Sequence, residues 1–151
     1  MQRKWRDDDD KLTFIILSRP PASELPPLTL PSFATDSAFP MIGDVNMFFK
    51  DPLDDDELEV EVEVMIAEPA YRLQGRARES LSLLIAYAAA PPLSVPRPAL
   101  VARIAESNTP SISLFEALGF RVVKTVEVFR EVEMRWRGAD ESPRANEDGL
   151  L

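Results

Sequence analysis

From Glu61 to Leu84 the chain runs through an apolar stretch, V-E-V-M-I-A-E-P, into Tyr71-Arg72-Leu73-Gln74-Gly75-Arg76-Ala77, and then into a helical pattern. A strand that ends in R-x-x-G-x-A and feeds straight into a helix points several backbone N–H groups at one spot, an anion cradle. Gly75 lets a ligand approach without a Cβ in the way, and Ala77 is the next smallest choice. Aligned peptide dipoles favour a phosphate there by ~0.3–1 kcal/mol when exposed, and by more when partly buried. The loop is therefore a candidate pyrophosphate site.

Elsewhere the helical stripe and the alternation set the architecture. Ala77, Leu81, Leu84, Ile85 and Ala88 fall at i, i+4, i+7, i+8 and i+11, one buried face of a helix that Pro91-Pro92 ends. Lys11–Leu17, Met41–Phe49, Glu59–Ala67 and Ala99–Ala105 read as strands, the third with Val60, Val62, Val64 and Ile66 on one face and Glu59, Glu61, Glu63 and Met65 on the other. Asn108-Thr109-Pro110 reads as a helix start and Leu118-Gly119 as its stop. Arg121–Glu127 and Phe129–Trp136 complete the strands. Strand, helix, strand, helix in sequence implies a right-handed parallel crossover flanked by antiparallel pairs, an α/β (α+β) fold. Between Arg19 and Pro40 the prolines at 20, 21, 26, 27, 31 and 40 mark a surface loop, residues 19–40. The polar tail, residues 137–151, reads as disordered.

Composition narrows the chemistry. A chain of 151 residues, 45% apolar, is expected to bury one core. It has no cysteine and no histidine, which removes disulfides, thiolate metal sites, cysteine nucleophiles and Ser-His mechanisms. Carboxylates, hydroxyls, amines and backbone dipoles remain. A net charge of −9 and a pI near 4.6 oppose binding to nucleic acid and suit a cationic or amine partner. No apolar run reaches the ~18–20 residues of a membrane span, and no signal-type core follows Met1. The expectation is a soluble, intracellular, cytoplasmic protein with no membrane partner and no metal.

Two signatures, Arg72-x-x-Gly75-x-Ala77 after one strand and Asn108-x-x-Ser111-x-x-x-Phe115-x-x-x-Gly119-Phe120 after the next, together resemble the GNAT superfamily of acetyl-CoA-dependent N-acetyltransferases. M-I-G-D-V-N-M-F-F, E-V-M-I-A-E-P, N-T-P-S-I-S-L-F-E-A-L-G-F and V-F-R-E-V are similar to its eukaryotic N-acetyltransferase nine branch. The resemblance runs over residues 5–136, which are expected to form the acetyltransferase domain. It implies a mixed β-sheet with a central, parallel, splayed strand pair and flanking helices.

The resemblance also implies roles. N–H groups of Leu73, Gln74, Gly75, Arg76 and Ala77, with Arg72, would hold the CoA pyrophosphate. Met65, Ile66 and Ala67 would pair with the pantetheine amides, and an N–H near Met65 or Ile66 would polarise the thioester carbonyl. Asn108 would face the pantetheine arm, with Ser111 and Phe115 on the same cofactor side. The branch usually carries R-G-K-G-I-G in the loop, so one glycine and the lysine are replaced here, with Arg76 as a substitute charge. The acceptor would be a protein or peptide amine, cytoskeletal by resemblance, and a strand carboxylate would take its proton. Glu61 is the first candidate base and Glu63 the second. A tyrosine often serves as general acid where this chain has Phe115; a departing thiolate, with a pKa of about 8.5, tolerates its loss.

A plainer role is open to each residue. Arg72 can pair with Glu68, Asn108 can be a cap alone, and Glu61 and Glu63 can be a solvated face. Phe115, Leu118 and Phe120 can be core. Asp7–Asp10 and Asp54–Asp56 lack the D-x-D-x-D-G pattern of a calcium loop and read as solvated turns. The resemblance further implies a strand and two helices ahead of K-L-T-F-I-I-L, and the chain starts almost at that strand. The expectation is an N-terminally truncated fold with the Glu59-Glu61-Glu63 face bare or covered by the proline loop, and an apolar patch suited to partners. The alternative function is a truncated, catalytically weak module that binds CoA or a protein.

Overall fold

The computed structural model describes residues 9–19, 39–50 and 57–138. The proline-rich stretch between residues 20 and 38, the acidic turn at 51–56 and the tail from 139 lie outside the described residues. Six strands, β1 (Lys11–Leu17), β2 (Met41–Lys50), β3 (Glu59–Ile66), β4 (Leu100–Ala105), β5 (Phe120–Val126) and β6 (Glu131–Trp136), form one sheet in the order β1-β2-β3-β4-β6-β5. Among the described residues α1 (Arg76–Ala89) joins β3 to β4 at the sheet's centre, and α2 (Thr109–Ala117) joins β4 to the edge strand β5. Only β3 and β4 run parallel; every other neighbour is antiparallel. A parallel pair needs a crossover, and α1 supplies it.

The alternation read in the third strand sorts the sheet into two unlike faces. One buries Val45, Met47, Val60, Val62, Leu100, Ala102, Ile104 and Met134 against Leu81, Leu84, Ile85 and Ala88 of α1 and Phe115 of α2. Each fully buried Leu or Ile of that stripe contributes ~1.5–3 kcal/mol, enough to hold α1 on the sheet. The last strand starts later than the sequence implied. Val128 and Phe129 are exposed, and Arg130 takes a positive φ of 51° in the turn that joins β5 to β6. No helix of the described residues is long and apolar enough to cross a membrane.

Candidate active site at the parted strands

The central parallel pair is joined only at its start. Val60 pairs with Leu100 and Glu61 with Val101, and the register goes no further. Beyond that point β3 stays with β2, down to Gly43 opposite Ile66. The ladder continues past the strand end, where the Ala67 N–H donates to the Ile42 carbonyl at 2.8 Å. Past Glu61, β3 and β4 therefore part, and the space between them opens into a cleft of about 700 Å³. Val64, Met65 and Ile66 line one wall, Gly75 to Arg78 one end, and Asn108, Ser111 and Leu114 the other wall. Of the residues the sequence assigned to cofactor binding, all but Ala67, Gln74 and Phe115 thus line one cleft, from three separate segments.

The loop that closes the cleft's end is built by left-handed residues. Leu73 has φ 59° and Gly75 φ 77°. Gly75 is the N-cap of α1 and offers no side chain to it; its carbonyl accepts from Glu79 N–H at 3.0 Å. The N–H groups of the first helical turn have no acceptor in the helix. A Cβ placed on Gly75 would meet nothing within 4 Å, so the space in front of it is open to a ligand. Arg76 and Arg78 add positive charge at the positive end of the helix dipole, an arrangement unfavourable in itself and relieved by a bound anion. The Arg76 guanidinium lies 5.7 Å from the Tyr71 ring centroid, which fixes it beside the loop. The residues present fit a pyrophosphate group.

Arg72 does something the sequence did not anticipate. It lines the cleft, but its hydrogen bonds go to the strand and not to Glu68: its Nε donates to the Ile66 carbonyl at 2.8 Å and its Nη2 to the Ala67 carbonyl at 3.1 Å. It occupies carbonyls at the freed end of β3 and ties the loop to the strand. Gln74 likewise braces the loop, donating to the Ala70 carbonyl at 2.8 Å. Asn108 is the N-cap of α2, its side chain accepting from Ser111 N–H at 3.3 Å, and it also lines the cleft. Phe115 turns the other way. It is 3% exposed and stacks edge-to-face on Phe120, 5.1 Å between centroids, so its ring belongs to the core and not to the cofactor side.

The glutamates of β3 divide into two environments. Glu61 receives the Arg103 guanidinium at 2.8 Å and the Lys50 ammonium at 3.1 Å. Glu59 is held by Arg103 at 2.7 Å, Arg135 at 2.9 Å and Lys50 at 3.2 Å. Glu133 completes the mesh, 3.1 Å from Arg103 and 3.0 Å from Arg135. Burial alone would raise the Glu59 carboxyl, but hydrogen bonds from Arg103 and Lys50 overcome it and hold the group at about 2. Burial likewise would lower Arg103, and the Glu59 and Glu61 carboxylates raise it instead. Arginines and a lysine thus engage Glu59 and Glu61, whereas Glu63 on the same face is exposed; the proline loop, the other cover the sequence implied, lies outside the described residues. Exposed apolar surface lies on the β1 edge, where Phe14, Ile15, Leu83 and Tyr87 line a separate groove of about 470 Å³.

Glu63 stands beyond this mesh, where the strands have parted. Glu63 is exposed, and the desolvation it still feels beside the sheet raises its carboxyl above the ordinary range; the Glu61 and Asp44 charges add to that and Lys11 opposes it. Across the ladder from Glu63 is Asn46, 8% exposed, which accepts from Thr13 Oγ1 at 2.7 Å and donates to Asp44 Oδ1 at 2.6 Å. Asp44 stands opposite Met65. Sequence reasoning passed over Asp44, Asn46 and Arg103. The signal was present: Asp44 and Asn46 are polar residues at alternate places in an otherwise apolar strand.

Comparison with known proteins agrees with this geometry. Residues 2–121 match the acetyltransferase (GNAT) domain family. The chain belongs to that family. It is 43% identical over 141 residues to an N-acetyltransferase 9-like protein of Caenorhabditis briggsae, covering 91% of this chain and 63% of that one. It is 39% identical over 143 residues to a mouse protein named alpha/beta-tubulin-N-acetyltransferase 9, covering 89% of this chain and 51% of that one. The chain thus spans roughly half to six tenths of the length of these relatives. Its fold is like that of a crystallised domain from Methanocaldococcus jannaschii, with a TM-score of 0.60 at 24% identity over 88% of this chain and 70% of that one.

Proposed function

We propose that residues 5–136 form an acetyltransferase domain that binds acetyl-CoA in the cleft between β3 and β4 and serves its transfer to a protein amine. The observation that carries this reading is the convergence of the Gly75 loop, the freed end of β3 and Asn108 on a single cleft. The N–H groups of Gly75 to Arg78 would hold the pyrophosphate, with Arg76 and Arg78 as countercharges. Val64 to Ala67 and Asn108 would flank the pantetheine arm, and Ser111 supports Asn108 from the first turn of α2. Acetyl-CoA, when bound, supplies an activated acyl group.

Glu63 is the group we assign to proton removal from the incoming ammonium. It stands on the strand that carries the reacting end, it is outside the ion-pair mesh, and its carboxyl is raised above the ordinary carboxylate range, the direction that makes it a better proton acceptor. Glu61, the first choice from sequence, is committed to Arg103 and Lys50. By similarity to the mouse relative's name, the acceptor we propose is the amine of a tubulin-like cytoskeletal protein, met in the cytoplasm. A second reading, a cofactor-binding module with weak turnover, is favoured by one observation: Phe115 puts no hydroxyl at the cleft.

The test is thermal. A ligand present at a hundredfold its Kd stabilises a protein by about 2.7 kcal/mol, so acetyl-CoA is expected to raise the melting temperature saturably. Gly75→Glu, which fills the cradle with a carboxylate, is expected to weaken binding by about 100-fold or more, the equivalent of ~2.7 kcal/mol. A parent protein that melts cooperatively and shows no shift would refute the cofactor site. Multiple turnover on peptide amines separates the first reading from the second.

A further inference from the structure

The partition of the sheet raises a mechanical question: what bends the end of β3 away from β4 while keeping it on β2? At Gly43 the backbones of β2 and β3 approach so closely that a Cβ would land on the Met65 carbonyl oxygen. It would also come within 3.0 Å of the Met65 carbonyl carbon and 3.1 Å of Ile66 Cα. All three are backbone atoms, which cannot swing aside as a side chain would. The other described glycines are unlike it: an added Cβ at Gly75 meets open space, and at Gly119 its nearest neighbour is a tryptophan side chain.

The direction of the Met65 carbonyl fixes the peptide that follows it. The peptide unit is planar and trans, so the Met65 C=O and the Ile66 N–H point to opposite sides. Residues of β3 alternate in which neighbour they face. The Ala67 N–H reaches the Ile42 carbonyl of β2, so Met65, two residues earlier, also faces β2. The Ile66 N–H accordingly faces the β4 side, where the register has already ended and the cleft begins. The carbonyl seated over the bare Cα of Gly43 and the N–H that faces the cleft thus belong to one peptide plane.

We infer that Gly43 is a positioning residue. Its missing side chain accommodates the Met65 carbonyl and so aims the Ile66 N–H at the thioester oxygen of acetyl-CoA, although Gly43 itself lies on the far side of β3 from the cleft. This rests on the proposed cofactor site. A methyl group at position 43 would push the Met65 carbonyl away and rotate the shared peptide plane, turning the N–H out of line. The cradle around Gly75, on a separate loop, would be spared.

The experiment compares the parent with Gly43→Ala by three measurements. In the unliganded protein, hydrogen exchange at the Ile66 amide is expected to be fast in the parent and slowed in the variant. In complexes with carbonyl-labelled acetyl-CoA, the thioester stretching frequency is expected to fall on binding to the parent and to return toward its free value in the variant. CoA affinity is expected to stay within about fivefold, while turnover falls by about 10²–10³-fold, the usual effect of losing one oxyanion donor. An unchanged carbonyl frequency and unchanged Ile66 exchange in a folded variant would overturn the inference. Failure of the parent itself to bind acetyl-CoA would overturn the cofactor site and this inference with it, and is distinguishable because Gly43→Ala is then irrelevant to the result. Should Gly43→Ala not fold, replacing Ile66 by its α-hydroxy acid removes only that N–H and leaves Gly43 in place. A normal frequency shift in that ester form overturns the proposal equally.

Discussion

The two halves of β3 keep one alternation, Glu59-Val60-Glu61-Val62 and then Glu63-Val64-Met65-Ile66, yet they behave as different materials. In the first half Glu59 and Glu61 lie against Arg103, Arg135 and Lys50, and the backbone pairs on both sides, with β2 and with β4. In the second half β4 has left, Glu63 stands outside the mesh, and the strand end is tied to a loop by Arg72. Alternation decides which face a side chain takes. What that side chain then does depends on the neighbouring strand, and the neighbour changes halfway along.

The difference is open to direct attack at several points. The largest effect is expected at Glu63. If it is the base, Glu63→Gln lowers kcat by about 10²–10⁴-fold at saturating acetyl-CoA, whereas Glu61→Gln lowers it by less than about tenfold. Steady-state rates on a peptide amine decide this, and the reverse order would erase the functional distinction between the halves. Next comes the mesh itself. Arg103→Met leaves Glu59, Glu61 and Glu133 without their shared cation and is expected to cost about 2–4 kcal/mol in urea unfolding. Since Arg103 is remote from the Gly75 loop, acetyl-CoA affinity should stay within about threefold in that variant.

A smaller, graded effect separates the halves by pH. The Glu59 carboxyl is depressed from 4.5 to about 2 in the folded protein. Its contribution is therefore fully present above pH 4.5 and is lost as pH falls from there through about 2. Glu63 has the opposite sign. Its carboxyl is raised, so ionising it costs stability as pH climbs above the ordinary carboxylate range. Glu63→Gln is accordingly expected to be slightly more stable than the parent at neutral pH, while Glu59→Gln is less stable and loses part of its acid sensitivity. Melting temperature against pH for the two variants tests both signs.

Most of the secondary structure was legible because burial imposes periods that a sequence displays. The α1 stripe at Leu81, Leu84, Ile85 and Ala88 is buried as its spacing required, and the strand runs sit within about one residue of their expected ends, β6 being the exception in starting at Glu131 and not at Phe129. The Gly75 loop was legible for a similar reason: a left-handed N-cap is a local constraint, met by a local residue. Less visible were the partners. No local rule links Glu61 to Arg103, 42 residues away, or Glu59 to Arg135, 76 residues away. Those pairs exist because β3, β4 and β6 become neighbours in the sheet. Phe115 was left open between core and cofactor side for the converse reason. Its place in the helix was read correctly, but whether its ring met a ligand or Phe120 depended on how α2 rolled onto the sheet.

By itself the sequence determined the order of elements, the two-faced sheet, the glycine turn that opens α1 and the kinship of the chain, since each rests on spacing within a short segment. Tertiary structure alone decided that Glu61, unlike Glu63, sits in an ion-pair mesh among the described residues, that Arg72 ties down strand carbonyls, and that Gly43 is pressed against Met65. Those outcomes arise from contacts between strands, and a contact between strands depends on register and curvature that no single segment encodes.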